Sequence, residues 1–321
     1  MILFYKWSNE NLKWVAHEPI SSTQHNLNIL KTITFNILFD NWNGKDYKTN
    51  IVHSEERYKN TLLKLEQYDA DIITLNEVTL TFVKLAEKCE YIKKNYFISQ
   101  TTENYNYNTN ISYDCMILTK LSPEKCYVFD ISPKRNLVIT STFNIINNNK
   151  HLKISVSAVH LSALSKNYIK RQKEFNIINE NLKNINTDVH IIQGDFNFHE
   201  EFETDYITQL DFHDAWRQIY NIKENPGYTF DSKKNLMIKE MFYGFEQRQM
   251  RLDRVVLSSL NTLKIKNIEI IFDTPIFETT KDTQNKNWIN TLLSTILVTH
   301  KEQYLFNSDH FGLYTIFEIK N

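Results

Sequence analysis

The stretch HIIQGDFNFH, residues 190–199, reads as a short buried strand that stops at a glycine and then presents a carboxylate, an amide and an imidazole. Asp195 and Asn197 stand two apart, so in extended chain they point the same way and together can hold one water molecule. Such a pair suits hydrolysis of a phosphate ester, where positioning and charge stabilisation do most of the work. Taken alone, the same letters also describe a strand end followed by an Asx turn.

Working outward, the pattern repeats. Asn36 closes ILKTITFN, Glu77 follows DIITLN, and His160 follows LKISVSAV. Asp253 interrupts MRLDRVVLS, and Asp309 and His310 precede FGLYTIFEI. Ionisable groups seldom end so many apolar runs by chance, and loops at strand ends are where sites are built. Carboxylates and amides without cysteine are hard oxygen donors, which points to Mg²⁺ or Mn²⁺ rather than structural zinc. Glu77 is the best single ligand candidate, because the run before it is apolar.

Strands are expected at 29–39, 71–78, 113–120, 136–146, 152–161, 188–193 and 265–272, in pieces at 227–231 and 250–258, and at the C-terminus. Helices are expected at 54–68, with Ser54 as N-cap, and at 80–90, 166–184 and 287–298; 100–112 reads as a polar loop. Residues 1–20 could pair as a hairpin around Ser8–Asn11. Strands come in hairpin-like groups with helices between them, which favours two packed sheets with helices outside. The halves look alike: strand–helix–strand ending in Glu77, then strand–helix–strand ending in Asp195. No linker is visible, so the expectation is an extension over 1–28 and one domain over 29–321.

The chain has 321 residues, 41% of them hydrophobic, enough for a large core. Its net charge of −1 supplies no global basic field, although a local basic groove can sit on a neutral protein. Three cysteines (Cys89, Cys115, Cys126) without CxxC spacing argue against a disulfide framework. The first residues do not read as a signal peptide, and no run approaches the roughly 18 apolar residues of a membrane span. A monomeric intracellular protein, nuclear or cytoplasmic, not secreted and not in the membrane, is expected.

TFNIL, DIITLNEV, SAVHL, IIQGDFNFH, RLDRVVL and SDHFGL occur in the order seen in the endonuclease/exonuclease/phosphatase superfamily, and from residue 31 to 319 the chain resembles these metal-dependent phosphodiesterases. The resemblance implies a four-layer α/β sandwich of the DNase I type, with two packed, mostly antiparallel or mixed sheets flanked by helices. It implies that Glu77 binds Mg²⁺ with Asn36 adjoining, and that Asp309 lies near the metal. Asp195, oriented with Asn197, would position or deprotonate the attacking water. His310, held by Asp253, would contact the scissile phosphate, and His160 would donate to a phosphate oxygen.

HDAW (213–216), GYTFD (227–231), RLDR (251–254) and His160-Leu161-Ser162 look like the tyrosyl-DNA phosphodiesterase 2 branch, which hydrolyses the bond between tyrosine and a 5′-phosphate at a DNA end during repair. Departures from that branch are Asn76 in LNEV, Ala163 after Ser162, His199 at an arginine position, Phe230 for the YTWD tryptophan and Leu252 for the RFDR phenylalanine. Tyr105, Tyr107, Phe230 and Phe311 are candidates to stack on bases or a tyrosyl group. Ser162, His199 and Arg171, with Lys166, Lys170 and Lys173 on the same helix, are candidates for substrate or phosphate contact. The alternatives are another phosphodiesterase of the superfamily (an abasic-site endonuclease, an RNA or dinucleotide phosphatase or deadenylase, a sphingomyelinase) and a catalytically dead nucleic-acid-binding module. Retention of Glu77, Asp195, Asn197 and His310 argues against the last.

Overall fold

The structure, a computed structural model, describes residues 4–18, 23–40, 53–105, 114–132, 137–242, 244–276 and 305–320. The expected helix at 287–298 and Tyr107 lie outside the described residues. The first half runs β1 (Tyr5–Ser8), β2 (Lys13–Ala16), β3 (His25–Asn26), β4 (Ile29–Asn36), α1 (Ser54–Tyr68), β5 (Ile72–Val78), α2 (Leu80–Lys88), α3 (Glu90–Asn95), β6 (Phe97–Ile98) and β7 (Asp114–Thr119). The second runs β8 (Lys125–Asp130), β9 (Leu137–Asn147), β10 (Lys150–His160), α4 (Tyr168–Lys183), β11 (Val189–Asp195), α5 (Glu201–Thr208), β12 (His213–Asp214), α6 (Ala215–Ile219), β13 (Phe230–Asp231), α7 (Leu236–Met241), β14 (Gln249–Met250), β15 (Asp253–Leu257), β16 (Leu263–Ile271) and β17 (Gly312–Ile319).

Among the described residues, one large sheet has the order β16-β17-β4-β5-β7-β6-β1-β2 and a second β12-β15-β11-β10-β9-β3, with β8 also on β9, while β13 and β14 pair as a two-stranded ribbon. The two-residue alternation of each strand builds the layers. In β11, Val189 and Ile191 face the core between the sheets, which Leu30, Ile72 and Leu313 of the other sheet complete, while Ile192 faces outward. The outer face of the first sheet packs Ile33, Phe35, Ile73 and Leu75 against Tyr58 and Leu62 of α1 and Phe82 of α2. The outer face of the second packs Val159 and Ile192 against Phe175 and Ile178 of α4 and Ile207 of α5. The result is four layers, helices–sheet–sheet–helices.

Most neighbours are antiparallel, but the short β3 runs parallel to β9, β4 parallel to β5 and β10 parallel to β11, and each of the last two pairs is joined through its own helix. The two helix-joined parallel pairs are the repeated strand–helix–strand halves of the sequence, and their ends carry the candidate site. Gly194 is required where β11 meets β10. A Cβ there would lie 2.0 Å from the Val159 carbonyl oxygen, and its φ is +149°.

Several sequence expectations change in detail. Over the described part of segment 1–28, β1 and β2 pair as the expected hairpin, β1 joins it to the first sheet through β6, and β3 pairs with β9 of the second. Ser54 is the first residue of α1, not its cap; His53, in left-handed backbone, holds that place. Strand β8 and helices α5, α6 and α7 are absent from the sequence reading because they are too short to show a period. The DxW, YTFD and RLDR motifs act as joints between these pieces. Asp214 accepts both Arg251 Nη1 contacts at 2.9 and 2.8 Å and caps α6, and Trp216 lies where a Cβ on Gly227 would be.

Candidate active site

Asn36, Glu77, His160 and Asp195 come together at one end of the sandwich because the parallel registers bring Asn36 beside Asn76 and His160 beside Asp195. The Asn36 amide crosses between the sheets, donating Nδ2 to Glu77 Oε1 at 3.0 Å and to Asp195 Oδ2 at 3.1 Å. Its Oδ1 accepts the Leu38 N–H at 3.0 Å, which sets the amide's orientation. Glu77 Oε2 accepts the Phe39 N–H at 3.1 Å. His160 Nε2 lies 3.6 Å from Asp195 Oδ2 and 4.0 Å from Glu77 Oε1.

Neighbouring strand residues ordinarily face opposite sides, yet Asn76 and Glu77 both reach the site. A break in the β5–β7 register between Leu75 and Val78, with Glu77 at φ 59°, makes this possible. Asn76 Oδ1 accepts the Asp195 N–H at 3.0 Å, and its Nδ2 donates to Val159 O at 2.8 Å. The asparagine that departs from the family pattern therefore ties the end of β11 to the other sheet. Sequence reasoning marked it as a departure but missed this role.

Asp195 and Asn197 are not side by side on extended chain. The strand ends at Asp195, Asn197 has φ 52°, and its backbone N–H donates to Asp195 Oδ1 at 2.8 Å. The Asx-turn reading is met: the turn fixes one carboxylate oxygen and the Asn36 amide fixes the other. The Asn197 side chain donates to Leu161 O at 3.0 Å and so holds the loop after His160.

His310 is buried, with Nδ1 2.8 Å from Asp253 Oδ2 and Nε2 3.8 Å from Asp195 Oδ2. Burial alone lowers its pKa, but the Asp253, Asp195 and Asp309 carboxylates override that and hold it well above the ordinary histidine value. Thr229 positions both partners, because its Oγ1 accepts the Asp253 N–H at 3.0 Å and its carbonyl accepts the Phe311 N–H at 2.6 Å. Burial raises the Glu77 pKa, and nearby Asp309 adds to the rise against the opposing charge of His160. A cation between Glu77 and Asp309 would relieve that repulsion, and both offer hard oxygen donors, so these residues fit Mg²⁺ or Mn²⁺. Asp195, Asp253 and His310 also lie close enough to share an ion, all ligand atoms falling within 4.8 Å. The imidazole Nδ1 there is already committed to Asp253 Oδ2 at 2.8 Å.

Other expected contacts do not hold. The Arg171 side chain is fully buried, paired with Glu203 at 2.7 Å, and cannot track phosphates. Ser162 gives its hydroxyl to Glu174 at 2.5 Å and its N–H to the same carboxylate. Lys170 pairs with Glu174 at 3.5 Å, whereas Lys166 and Lys173 are exposed on the helix surface. Phe311 packs in a core with Leu38 and Phe306. Phe230 is core as well, beside Met250 and Leu252, although its ring stands edge-on to His310 with centroids 5.8 Å apart. Tyr105 is half-buried, and its hydroxyl donates to Val78 O at 3.2 Å. His199 is half-buried, and its Nε2 has no hydrogen-bond partner among the described residues. It lines a cavity of about 340 Å³ with Tyr228, Gln249 and Arg254. Burial, with Arg171 and Arg248, lowers its pKa, so it does not replace an arginine's charge at neutral pH.

No family model and no curated protein matches the sequence. Solved structures do match. A D. rerio TDP2 structure complexed with single-strand DNA product is 16% identical, with a TM-score of 0.60 over 90% of this chain and 99% of that one. A truncated Caenorhabditis elegans TDP2 is 18% identical, with a TM-score of 0.61 over 90% of this chain and 97% of that one. An endonuclease/exonuclease/phosphatase family protein from Bacteroides thetaiotaomicron is 13% identical, with a TM-score of 0.62 over 91% and 98%. The chain has the endonuclease/exonuclease/phosphatase fold. Within that fold, the polar cluster lies where the two central parallel pairs end.

Proposed function

We propose that this chain is a divalent-metal-dependent phosphodiesterase that hydrolyses 5′-phosphotyrosyl DNA. The observation that carries the reaction type is Asp195, whose two oxygens are fixed separately by the Asn197 N–H and the Asn36 amide, 3.8 Å from an imidazole that Asp253 holds protonated. The substrate rests on the order of sequence motifs and is supported by the likeness to the TDP2 structures, one of them with a DNA product.

Asp195 orients a water and takes its proton as the water's oxygen approaches phosphorus in line with the leaving oxygen. His310 donates from Nε2 to a phosphoryl oxygen and offsets the charge that builds there. Asp253 holds His310 in position, as a carboxylate does for a catalytic imidazole. His160 Nε2 donates to a second phosphoryl oxygen. Glu77 and Asp309 would hold Mg²⁺, which when bound supplies Lewis-acid charge compensation. The products are tyrosine and a DNA 5′-phosphate.

The test is a substrate panel with Mg²⁺ or with EDTA: a 5′-phosphotyrosyl oligonucleotide, an abasic-site duplex, a plain phosphodiester, poly(A) and a 2′-phosphorylated dinucleotide. Tyrosine release that depends on the metal is expected. Rapid cutting of another member of the panel without tyrosine release would overturn the tyrosyl assignment. One observation favours a second reading, a phosphodiesterase of the same fold acting on a different nucleotide. Arg171, Ser162, Phe230 and Phe311, the groups expected to grip DNA, are all engaged in the protein interior.

A further inference from the structure

Arg57 and Arg171 are the fourth residues of α1 and α4, the helices that connect the two parallel strand pairs. Both side chains are wholly buried. Each guanidinium donates to carbonyls of the loop that leaves the first strand of its own half. Arg57 donates to Ile37 O at 2.7 Å and Leu38 O at 3.2 Å, just beyond Asn36. Arg171 donates to Ser162 O at 2.9 Å and Leu164 O at 2.7 Å, just beyond His160. Each also reaches a second loop of the site. Arg57 donates to Asn307 O at 2.8 Å, close before Asp309 and His310. Arg171 binds Glu203 through Nε and Nη2, and Glu203 Oε1 accepts the His199 N–H at 3.0 Å.

In each loop one leucine has positive φ, Leu38 at 55° and Leu164 at 74°, and its carbonyl is one that the guanidinium binds. A leucine at positive φ is strained. Such geometry persists only where the surroundings over-determine it. Burying a guanidinium also has a cost, which a plain apolar residue would avoid. Core filling therefore does not explain both arginines at matched positions.

The loops they hold are the ones that aim the catalytic groups. Leu38 and Phe39 give their N–H groups to Asn36 and Glu77, and Leu161 O accepts the Asn197 amide. We infer that Arg57 and Arg171 are a matched pair of positioning residues, one per half of the sandwich, each clamping a catalytic loop by its backbone carbonyls. Their effect on turnover rests on the proposed phosphodiesterase reading; their effect on the loops does not.

The test replaces each in turn, Arg57→Lys and Arg171→Lys, in the full chain. Lysine keeps the charge but lacks the planar fork that spans two carbonyls. Amide hydrogen exchange is measured first, without substrate or metal. Faster exchange is expected at 37–39 in Arg57→Lys and at 161–164 and 199 in Arg171→Lys, with the central amides of β4 and β10 unchanged. On the 5′-phosphotyrosyl oligonucleotide, kcat should fall on the order of 100-fold while KM stays near the wild-type value. Unchanged loop exchange overturns the inference whatever the activity, and so does a wild-type kcat in a variant whose loops have loosened. Glu203→Gln serves if Arg171→Lys does not fold. It leaves Arg171 in place and should quicken exchange at His199, and unchanged exchange there overturns the Arg171 half. Absence of tyrosine release by the wild-type protein would instead count against the function reading, since the exchange measurement needs no substrate.

Discussion

Asp195 holds its position through backbone and amide donors rather than through packing, so Asp195→Asn changes chemistry more than fold. Asparagine keeps one acceptor oxygen but cannot take a proton from water. Turnover should fall by several orders of magnitude with the thermal midpoint nearly unchanged, read by steady-state kinetics beside a melting curve. Asp253→Asn acts on His310. Removing the nearest carboxylate takes away the main opposition to burial, so the imidazole pKa falls from its raised value toward the ordinary one. A His310 that works protonated is active below its pKa, so the alkaline limb of the pH–rate profile should move to lower pH. A limb that stays in place would mean that another group sets it.

At the scale of elements, the close approach of β10 and β11 is what delivers Asp195 beside His160. Gly194→Ala puts a methyl 2.0 Å from the Val159 carbonyl, and the backbone at φ +149° is strained for alanine in any case. The strands must separate next to Asp195, so a loss of about 3 kcal/mol in stability is expected, together with reduced turnover; urea unfolding checks the first. The sequence reading located β4, β5, β10, β11 and their helices because each is long enough to show its period. It missed β8, α5, α6 and α7, where five to eight residues are held by tertiary contacts. It also read Asp195 and Asn197 as neighbours on straight chain, because a turn at positive φ on a non-glycine residue leaves no pattern in the letters.

For the whole molecule, stability should depend on acid through His190, whose pKa burial pushes down to about 4. The folded protein excludes a proton that the unfolded chain takes up near pH 6.5. Stability from this group is therefore complete above about pH 6.5 and is lost as pH falls toward about 4, on the order of 3 kcal/mol in all. His17 and His199 shift in the same direction, so His190→Gln should flatten the curve only in part. Denaturant midpoints between pH 4 and 7 measure it, and a slope identical to wild type would refute it.

By itself the sequence determined the apolar strand periods, the polar residues at their ends and the order of the motifs, and from these the sandwich and its polar cluster follow, because period and strand ends are local properties of the chain. Only the tertiary structure decided which polar and aromatic groups remain free for a substrate. Arg171, Ser162, Phe230 and Phe311 read as surface contacts until the packing of distant segments buries them. Asn76 gained its role only when the two sheets met, and the Asn36–Asp195 bond spans 159 residues. Burial and cross-sheet bonding depend on which segments the whole fold brings together, and no local stretch of sequence carries that information.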